Sequence, residues 1–172
     1  MSYSGGGETT KARPRKRHRL RRKEVRRIVE DTEQVLGCQV FSDSDSIDVA
    51  SLKTMDIVYV DGKVLGMIVD GRSFLSVRGL LKYGPRNRFV TVDMGAVKFV
   101  YNGADVMAPG VVDADPSISE GDLAWVRDER NLQPLAVGVA LMSGNEMVSE
   151  KKGKALKSLH HVGDAIWKMD ED

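Results

Sequence analysis

Apolar residues recur early in the chain at the spacing of one face of an α-helix. Positions three or four apart carry them over about three turns, which predicts an amphipathic helix. The residues on this face are Val25, Ile28, Val29, Thr32 and Leu36. The basic segment Lys11–Arg27 (KARPRKRHRLRRKEVRR) is predicted to run into this helix, and Gly37 is placed to end it.

Short apolar runs separated by turn residues follow the helix and predict β-strands. Two pairs, Asp61-Gly62 and Asp70-Gly71, indicate hairpins, because both residue types accept the backbone angles of a tight turn. Gly84-Pro85 interrupts the pattern, which places a domain boundary at residues 84–88. The predicted elements are strands at Cys38–Phe41, Ile47–Ala50, Met55–Val60 and Val64–Val69, and a short strand with a helical turn in Phe74–Tyr83.

From Phe89 onward, the pattern indicates a short helix inserted among several strands. Asp93 is predicted to cap the helix Met94–Tyr101, because its carboxylate can accept hydrogen bonds from the first backbone N–H groups. This arrangement predicts a small closed barrel, and Pro109 indicates an opening in its wall. The other predicted elements are strands at Phe89–Val92, Ala104–Val112, Leu123–Arg127 and Leu135–Met142, a loop or one helical turn at Ser143–Ser149, and a last hairpin of Ser158–Val162 with Ala165–Met169.

The charge of the chain is divided unevenly. Residues 1–27 contain eleven Lys or Arg and two Glu, a net charge of +9, while the other residues carry a net charge of −8. The overall value of +1 therefore conceals a basic arm on an acidic body. Residues 1–13 begin with a stretch rich in Gly, Ser and Thr, and they are predicted to form a disordered leader.

The basic arm is predicted to bind RNA phosphates, because eleven cations within seventeen residues cannot all find partners inside a folded domain. Such contacts supply affinity and read no base sequence. The arm residues predicted to bind are Arg15, Lys16, Arg17, Arg19, Arg21, Arg22 and Lys23. A secondary basic cluster contains Lys151, Lys152 and Lys154. The alternatives are a solvated surface for both groups and a localisation signal for the arm.

Several classes of protein are excluded by what the sequence lacks. The single cysteine, Cys38, rules out an intramolecular disulfide framework and argues against a cysteine-ligated zinc site. No secretion signal is recognisable, and no apolar run approaches the roughly 20 residues of a membrane span. The sequence also contains no nucleophile elbow, Walker A loop, dinucleotide fingerprint or HExxH motif. We expect a cytoplasmic protein that is not an enzyme and uses no cofactor or metal.

The stretch Val92–Val111 (VDMGAVKFVYNGADVMAPGV) resembles the core signature of the PUA domain, an RNA-binding module. Matching features inside it are Gly95-Ala96, Gly103-Ala104 and residues 107–111, and others follow at Gly121-Asp122 and Ala136–Ala140. The basic segment Lys151–Lys157 and the tail Leu159–Met169 (LHHVGDAIWKM) resemble the malignant-T-cell-amplified-sequence family and its archaeal relatives. The resemblance covers nearly the whole chain and is most specific in the C-terminal half.

The resemblance implies the fold class α+β. A small α/β pre-PUA domain with a basic N-terminal helix is expected at residues 14–88. A PUA pseudo-β-barrel with one short inserted helix is expected at residues 89–172. The family also implies partners, namely the acceptor (CCA) end of tRNA and the rRNA of the small ribosomal subunit. Its eukaryotic members act with a separate translation factor that carries a SUI-type domain.

Small residues around the predicted helix would let an RNA backbone approach closely, because glycine has no Cβ and a helix N-terminus offers N–H donors. Lys98 adds a cation, and Tyr101 offers a ring for stacking. Together with the resemblance, this predicts a PUA face made of Gly95, Ala96, Lys98, Tyr101, Gly103, Ala104, Pro109 and Gly110. The alternatives are that the glycines only satisfy tight turns and that Pro109-Gly110 only shapes a bulge.

These observations together predict an RNA-binding factor associated with translation. Two other hypotheses stay open at this point. The chain is an accessory RNA-binding subunit of an RNA-modification enzyme, or it is a protein–protein adaptor whose acidic body meets a basic partner.

Overall fold

An antiparallel sheet of five strands in sequence order forms the first half of the fold. The computed structural model describes residues 13–171. The strands are β1 (Arg15–Arg19), β2 (Ile47–Ser51), β3 (Asp56–Val60), β4 (Lys63–Val69) and β5 (Arg72–Leu75). The helices are α1 (Arg22–Leu36) and α2 (Val77–Tyr83). Both Asp-Gly pairs close hairpins with positive φ at each residue, as the sequence predicts.

The basic segment corrects one prediction. It was expected to run into the helix, but Arg15–Arg19 form strand β1, and α1 begins only at Arg22. Strand β1 pairs with β2, about thirty residues away, and local periodicity carries no information about such a distant partner. The predicted helix ends at Gly37 as expected.

The predicted strand Cys38–Phe41 is also wrong. The backbone N–H of Val40 donates to the side chain of Glu33 on α1 at 2.9 Å instead of joining a sheet. Phe41 is buried in a cluster with Val25 and Val49, so its apolar character reflects core packing without strand pairing.

Six strands form a second sheet that nearly closes into a barrel. Its strands are β6 (Phe89–Val92), β7 (Val106–Met107), β8 (Val111–Ala114), β9 (Leu123–Asp128), β10 (Pro134–Ala140) and β11 (Lys154–His161). Their spatial order is β7-β11-β10-β9-β6-β8, so β7 and β8 occupy opposite edges. Only the 3-10 turn Ala108–Gly110 separates these two strands in sequence. The sheet therefore curls until its edges meet at one seam, which confirms the predicted α+β class with a barrel-like C-terminal half.

Helices interrupt this sheet at more places than the single insertion that was predicted. Helix α3 (Met94–Tyr101) lies between β6 and β7 and has the expected Asp93 cap. Helix α4 (Gly144–Ser149) is capped by Ser143. The predicted last hairpin is wrong, because residues Ala165–Lys168 form helix α5. The Asp164 side chain accepts a hydrogen bond from the Trp167 N–H at 2.9 Å and starts that helix.

The two sheets share one apolar core. Leu36, Phe74 and Leu80 from the first half pack in the same buried cluster as Trp125 and Val137 from the second half. Polar contacts cross the same boundary, since the buried His160 ring accepts a hydrogen bond from the Val77 N–H at 3.1 Å. A separate cluster around Val126, Leu135 and Met147 fills the barrel itself.

Candidate nucleic-acid interface

A cleft of about 610 Å³ lies at the seam of the second sheet, between α3 and the turn that joins β7 to β8. Its lining comes from both sides of the seam. The lining residues are Asp93, Gly95, Ala96, Phe99, Val100, Ala104, Asp105, Val106, Met107, Pro109, Gly110 and Lys154. The break in the ladder that Pro109 and Gly110 create thus forms one wall of the cleft.

Small residues set the width of this cleft. The backbone N–H of Asp93 donates to the Gly110 carbonyl at 2.9 Å, and the Asp93 side chain accepts from the Ala96 N–H at 2.9 Å. A Cβ added to Gly110 would come within 3.3 Å of the Ala96 Cβ. Any larger residue at Gly110 would push against Ala96, so these small residues let α3 and the turn approach closely at this point.

Two large apolar side chains lie beside the small ones. Phe99 is 55% exposed and Met107 is 47% exposed, and both line the cleft. An exposed ring and a thioether at the edge of an open cleft are suitable surfaces for a nucleobase, whose flat faces stack on aromatic side chains. The sequence prediction missed both residues. For Phe99 a signal was available in the sequence, because its four-residue spacing from Gly95 puts Phe99 and Gly95 on one helical face.

Two carboxylates also line the cleft, and each is engaged by protein groups. Asp93 caps α3. Asp105 accepts hydrogen bonds from the Ser158 N–H at 2.9 Å and from Lys154 Nζ at 3.2 Å. The Ser158 N–H holds the pKa of Asp105 below its ordinary value, and Lys154 lowers it further despite partial burial. Because Lys154 forms an ion pair with Asp105, the negative charge of Asp105 is balanced within the cleft wall.

A cationic surface, separate from the cleft, lies on strand β1 of the first sheet. All five β1 residues are exposed, and β1 is an edge strand. Arg17 and Arg19 both form ion pairs with Asp48, while Arg22 and Arg26 on α1 form ion pairs with Asp43. Acidic residues therefore neutralise only part of the predicted basic arm.

Comparisons with known proteins point to one family. The PUA domain family model matches residues 88–162. A solved PUA domain protein from Thermoplasma acidophilum is 33% identical with a TM-score of 0.75, and the match covers 89% of this chain and 98% of that one. The chain is a PUA-domain protein. A PUA domain implies RNA binding.

The similarity to curated relatives reaches beyond the residues of the barrel. An uncharacterized protein of Methanocaldococcus jannaschii is 41% identical over 155 residues, 89% of this chain and 96% of that protein. Translation machinery-associated protein 20 of Saccharomyces cerevisiae is 32% identical over 114 residues, 63% of each chain. Malignant T-cell-amplified sequence 1-B of Xenopus laevis is 31% identical over 120 residues, 67% of this chain and 66% of that protein. The predicted family is thus confirmed, and the match to the yeast protein spans less than two thirds of its length.

The predicted residues of the PUA face divide into those that line the cleft and those that do not. Gly95, Ala96, Ala104, Pro109 and Gly110 line it. Gly103 lies nearby with its backbone against the His161 ring, where a Cβ would come within 2.9 Å of Nε2. This close packing against His161 explains a glycine at position 103 without any RNA contact.

Lys98 and Tyr101 do not line the cleft. Successive helix residues are about 100° apart, so Tyr101 lies on the side of α3 opposite the one that carries Gly95 and Phe99. Tyr101 is exposed, and Lys98 Nζ lies 5.1 Å from the centroid of the Phe99 ring. Lys98 therefore flanks the cleft, while Tyr101 faces away from it.

The remaining basic residues have different surroundings. Lys151 donates from Nζ to the Val111 carbonyl at 2.6 Å and so braces the seam, while Lys154 pairs with Asp105 and Lys152 is exposed. The arm residues without an ion pair to the described part of the chain are all exposed, and they are Arg15, Lys16, Arg21 and Lys23. Residues 1–12, which include Lys11 and nearly all of the predicted leader, lie outside the described residues.

Within residues 13–171, no three His, Cys, Asp or Glu side chains lie close enough together to hold a metal ion. No helix in that range is both long and apolar enough to cross a membrane.

Proposed function

We propose that this protein is a non-enzymatic, cytoplasmic translation factor that binds the acceptor (CCA) end of tRNA, the small ribosomal subunit, or both. The seam cleft carries the proposal. It is open, mostly apolar, and offers an exposed ring beside small residues, which suits an unpaired terminal nucleotide more than a base inside a duplex.

The arrangement of charge supports a single-stranded end in the cleft. The cleft wall contains Lys154 but no uncompensated row of cations, so it suits bases more than a long run of phosphates. The exposed cations of β1 and the start of α1 suit the phosphates of tRNA or rRNA. Names of relatives such as translation machinery-associated protein 20 favour a role in translation.

The first experiment compares binding of the full chain to intact tRNA and to the same tRNA trimmed of its CCA end, by fluorescence anisotropy. We expect intact tRNA to bind more tightly, because only it can place a terminal base in the cleft. Equal affinity for the two RNAs would contradict the proposed role of the cleft.

The ribosomal part of the proposal has its own test. Co-sedimentation with small subunits should weaken steeply as salt rises, because phosphate contacts release counterions. Association that is absent at low salt would overturn this part. A pull-down that recovers an RNA-modification enzyme and no ribosomal proteins would favour the accessory-subunit hypothesis instead.

A further inference from the structure

One carboxylate on strand β2 holds two arginines of strand β1. Arg17 Nε lies 3.0 Å from Asp48 Oδ2, and Arg19 Nε lies 2.5 Å from Asp48 Oδ1. Arg19 is directly opposite Asp48 in the register of the two strands. The two oxygens of one side chain are thus each bonded to a different guanidinium, in each case through Nε.

The rest of each guanidinium stays available. A guanidinium carries five N–H groups, of which Nε has one and the two terminal nitrogens have four. Within residues 13–171, the terminal nitrogens of Arg17 and Arg19 have no hydrogen-bond acceptor. Their side chains are 47% and 64% exposed. Each arginine therefore presents its terminal nitrogens to solvent while its other side is held.

An aromatic ring orients one of the pair further. The guanidinium carbon of Arg17 lies 3.8 Å from the centroid of the Tyr59 ring, and Tyr59 is opposite Asp48 on strand β3. Hydrogen bonds from Arg19 and Arg17 hold the pKa of Asp48 below its ordinary value although burial opposes this, so the carboxylate stays charged. Stacking and ion pairing together fix the plane of Arg17 before any ligand arrives.

We propose that Asp48 positions Arg17 and Arg19 as a two-arginine fork that binds the phosphodiester groups of an RNA strand. The proposal rests on the RNA binding proposed above and assigns the phosphate site to named residues. Two positions along a strand are separated by about 6.6 Å, so the pair can bind one phosphate or two consecutive ones. The planar forks match phosphate oxygens two at a time.

Backbone geometry at β1 favours a nucleic acid over an added peptide strand. Lys16 has a φ of 56°, and the register shifts between Arg15 and His18. Such an irregularity interrupts the outer hydrogen-bonding edge that a docking peptide strand would need. The cluster also keeps a net positive charge, because two arginines share one carboxylate.

Removing this carboxylate should weaken RNA binding, which is the opposite of what loss of a negative charge does in general. We expect Asp48→Asn to lower the affinity for CCA-trimmed tRNA by about three- to tenfold, because the two freed side chains must then be ordered on binding. Asp48→Glu keeps the carboxylate and should restore most of the affinity.

Asp43→Asn is the matched control. It removes the same charge beside α1, where the Asp43 carboxylate accepts a hydrogen bond from Arg26 Nε at 2.8 Å. Arg22 Nε lies 3.9 Å away without a hydrogen bond, so Asp43 holds one guanidinium and not two. The affinity of this variant should equal or exceed that of the wild type. The arginines of both carboxylates are 47–71% exposed, so neither Asn variant should unfold the chain, and their melting temperatures check this.

A double-mutant cycle separates positioning from a merely structural effect. In a chain with Arg17→Lys and Arg19→Lys, which keeps both charges but removes the forks, Asp48→Asn should no longer lower RNA affinity. Unchanged or tighter binding of Asp48→Asn in the wild-type background would overturn the proposal, and so would equal losses in Asp48→Asn and Asp43→Asn. Binding to polyglutamate but not to RNA, with the same dependence on Asp48, would overturn the ligand class.

Failure of this inference is distinguishable from failure of the proposed cleft function. A wild-type chain that binds intact and trimmed tRNA equally contradicts the cleft, whereas the effect of Asp48→Asn is read on trimmed tRNA alone. A CCA preference without any effect of Asp48→Asn contradicts only the fork.

Discussion

At the scale of single residues, the seam cleft places one exposed aromatic ring beside glycine and alanine. Phe99 projects from α3, and the facing turn of Ala108–Gly110 keeps its backbone close because Gly110 has no side chain. A base that enters the cleft would contact the ring on one side and peptide backbone on the other. The Phe99 ring would then supply an apolar stacking surface.

Phe99→Ala should weaken binding of intact tRNA by about 1–3 kcal/mol, the usual contribution of one base stacked on an aromatic side chain. Affinity for trimmed tRNA should change little, because the stacked base would be missing. Leu132→Ala is the control, since Leu132 is comparably exposed but lies in the turn between β9 and β10. Anisotropy titrations with both RNAs measure the difference, and equal affinities of Phe99→Ala and Leu132→Ala for intact tRNA would contradict the stacking role.

At the scale of elements, turns depend on carboxylates that accept several backbone N–H groups. Asp128 ends β9, is buried, and accepts from the N–H groups of Arg130, Asn131 and Gln133 at 2.6–3.0 Å. Burial raises the pKa of Asp128, but these donors outweigh it, and the pKa lies below its ordinary value. The turn from β9 to β10 is therefore held by an ionised group.

Asp128→Asn should lower the free energy of unfolding at neutral pH by about 1–3 kcal/mol, because the hydrogen bonds lose their charged acceptor. The folded-state pKa lies below the unfolded value of about 3.9, so the stabilisation is present above pH 4 and disappears as pH falls through the folded-state pKa. Denaturant unfolding from pH 7 down to pH 2 should show wild type and variant converging at the acid end.

Glu120→Gln is the control for this series, since Glu120 is exposed and has no hydrogen bond to the described residues. Its stability should follow the wild type at every pH. A constant difference between Asp128→Asn and wild type at all pH values would show that shape rather than charge holds the turn.

Elements whose signals lie next to each other in sequence could be predicted. The Asp-Gly hairpins, the Gly37 end of α1 and the Asp93 cap each need only two to five neighbouring residues, and all are confirmed. Strand β1 could not be predicted because its partner β2 is distant, and α5 was missed because Gly163-Asp164 suits both a hairpin turn and a helix start.

The site, too, has residues that the sequence could predict and residues that it could not. Its small residues belong to a signature that sequence resemblance reveals, and five of the eight predicted PUA-face residues line the cleft. The four-residue spacing from Gly95 indicates that Phe99 shares its helical face, whereas only the fold shows that Met107 is exposed at the cleft. Tyr101 does not line the cleft, and the predicted helix Met94–Tyr101 already indicates this, because two residues after Phe99 is about 200° around the helix axis.

At the scale of the whole molecule, the two halves are joined by packing and by the chain terminus. Arg78 on α2 stacks on Trp167 of α5 with its guanidinium carbon 3.8 Å from the ring centroid. The Val64 N–H on β4 donates to Asp170 near the C-terminus at 2.9 Å. Together with the shared core, these contacts predict that the halves unfold as one unit.

Phe74→Ala tests this cooperativity, because Phe74 lies in the first half and both tryptophans lie in the second. We expect a loss of about 3–5 kcal/mol, and the tryptophan fluorescence midpoint should shift together with the far-UV circular dichroism midpoint. Met147→Ala, in the barrel cluster, should shift both midpoints in the same way. Two separate transitions, with tryptophan fluorescence unaffected by Phe74→Ala, would refute the single unit.

The joint core has a consequence for how an RNA is chosen. Since the seam and the edge strand β1 belong to one folded body, the span between them is fixed, and under the two proposals above the protein would measure the distance between an RNA end and its backbone. An RNA that presents a free end and a backbone stretch at that span engages both and gains the avidity of a bivalent ligand. An RNA of other dimensions would reach only one of them, so selection would act on the overall dimensions of the RNA.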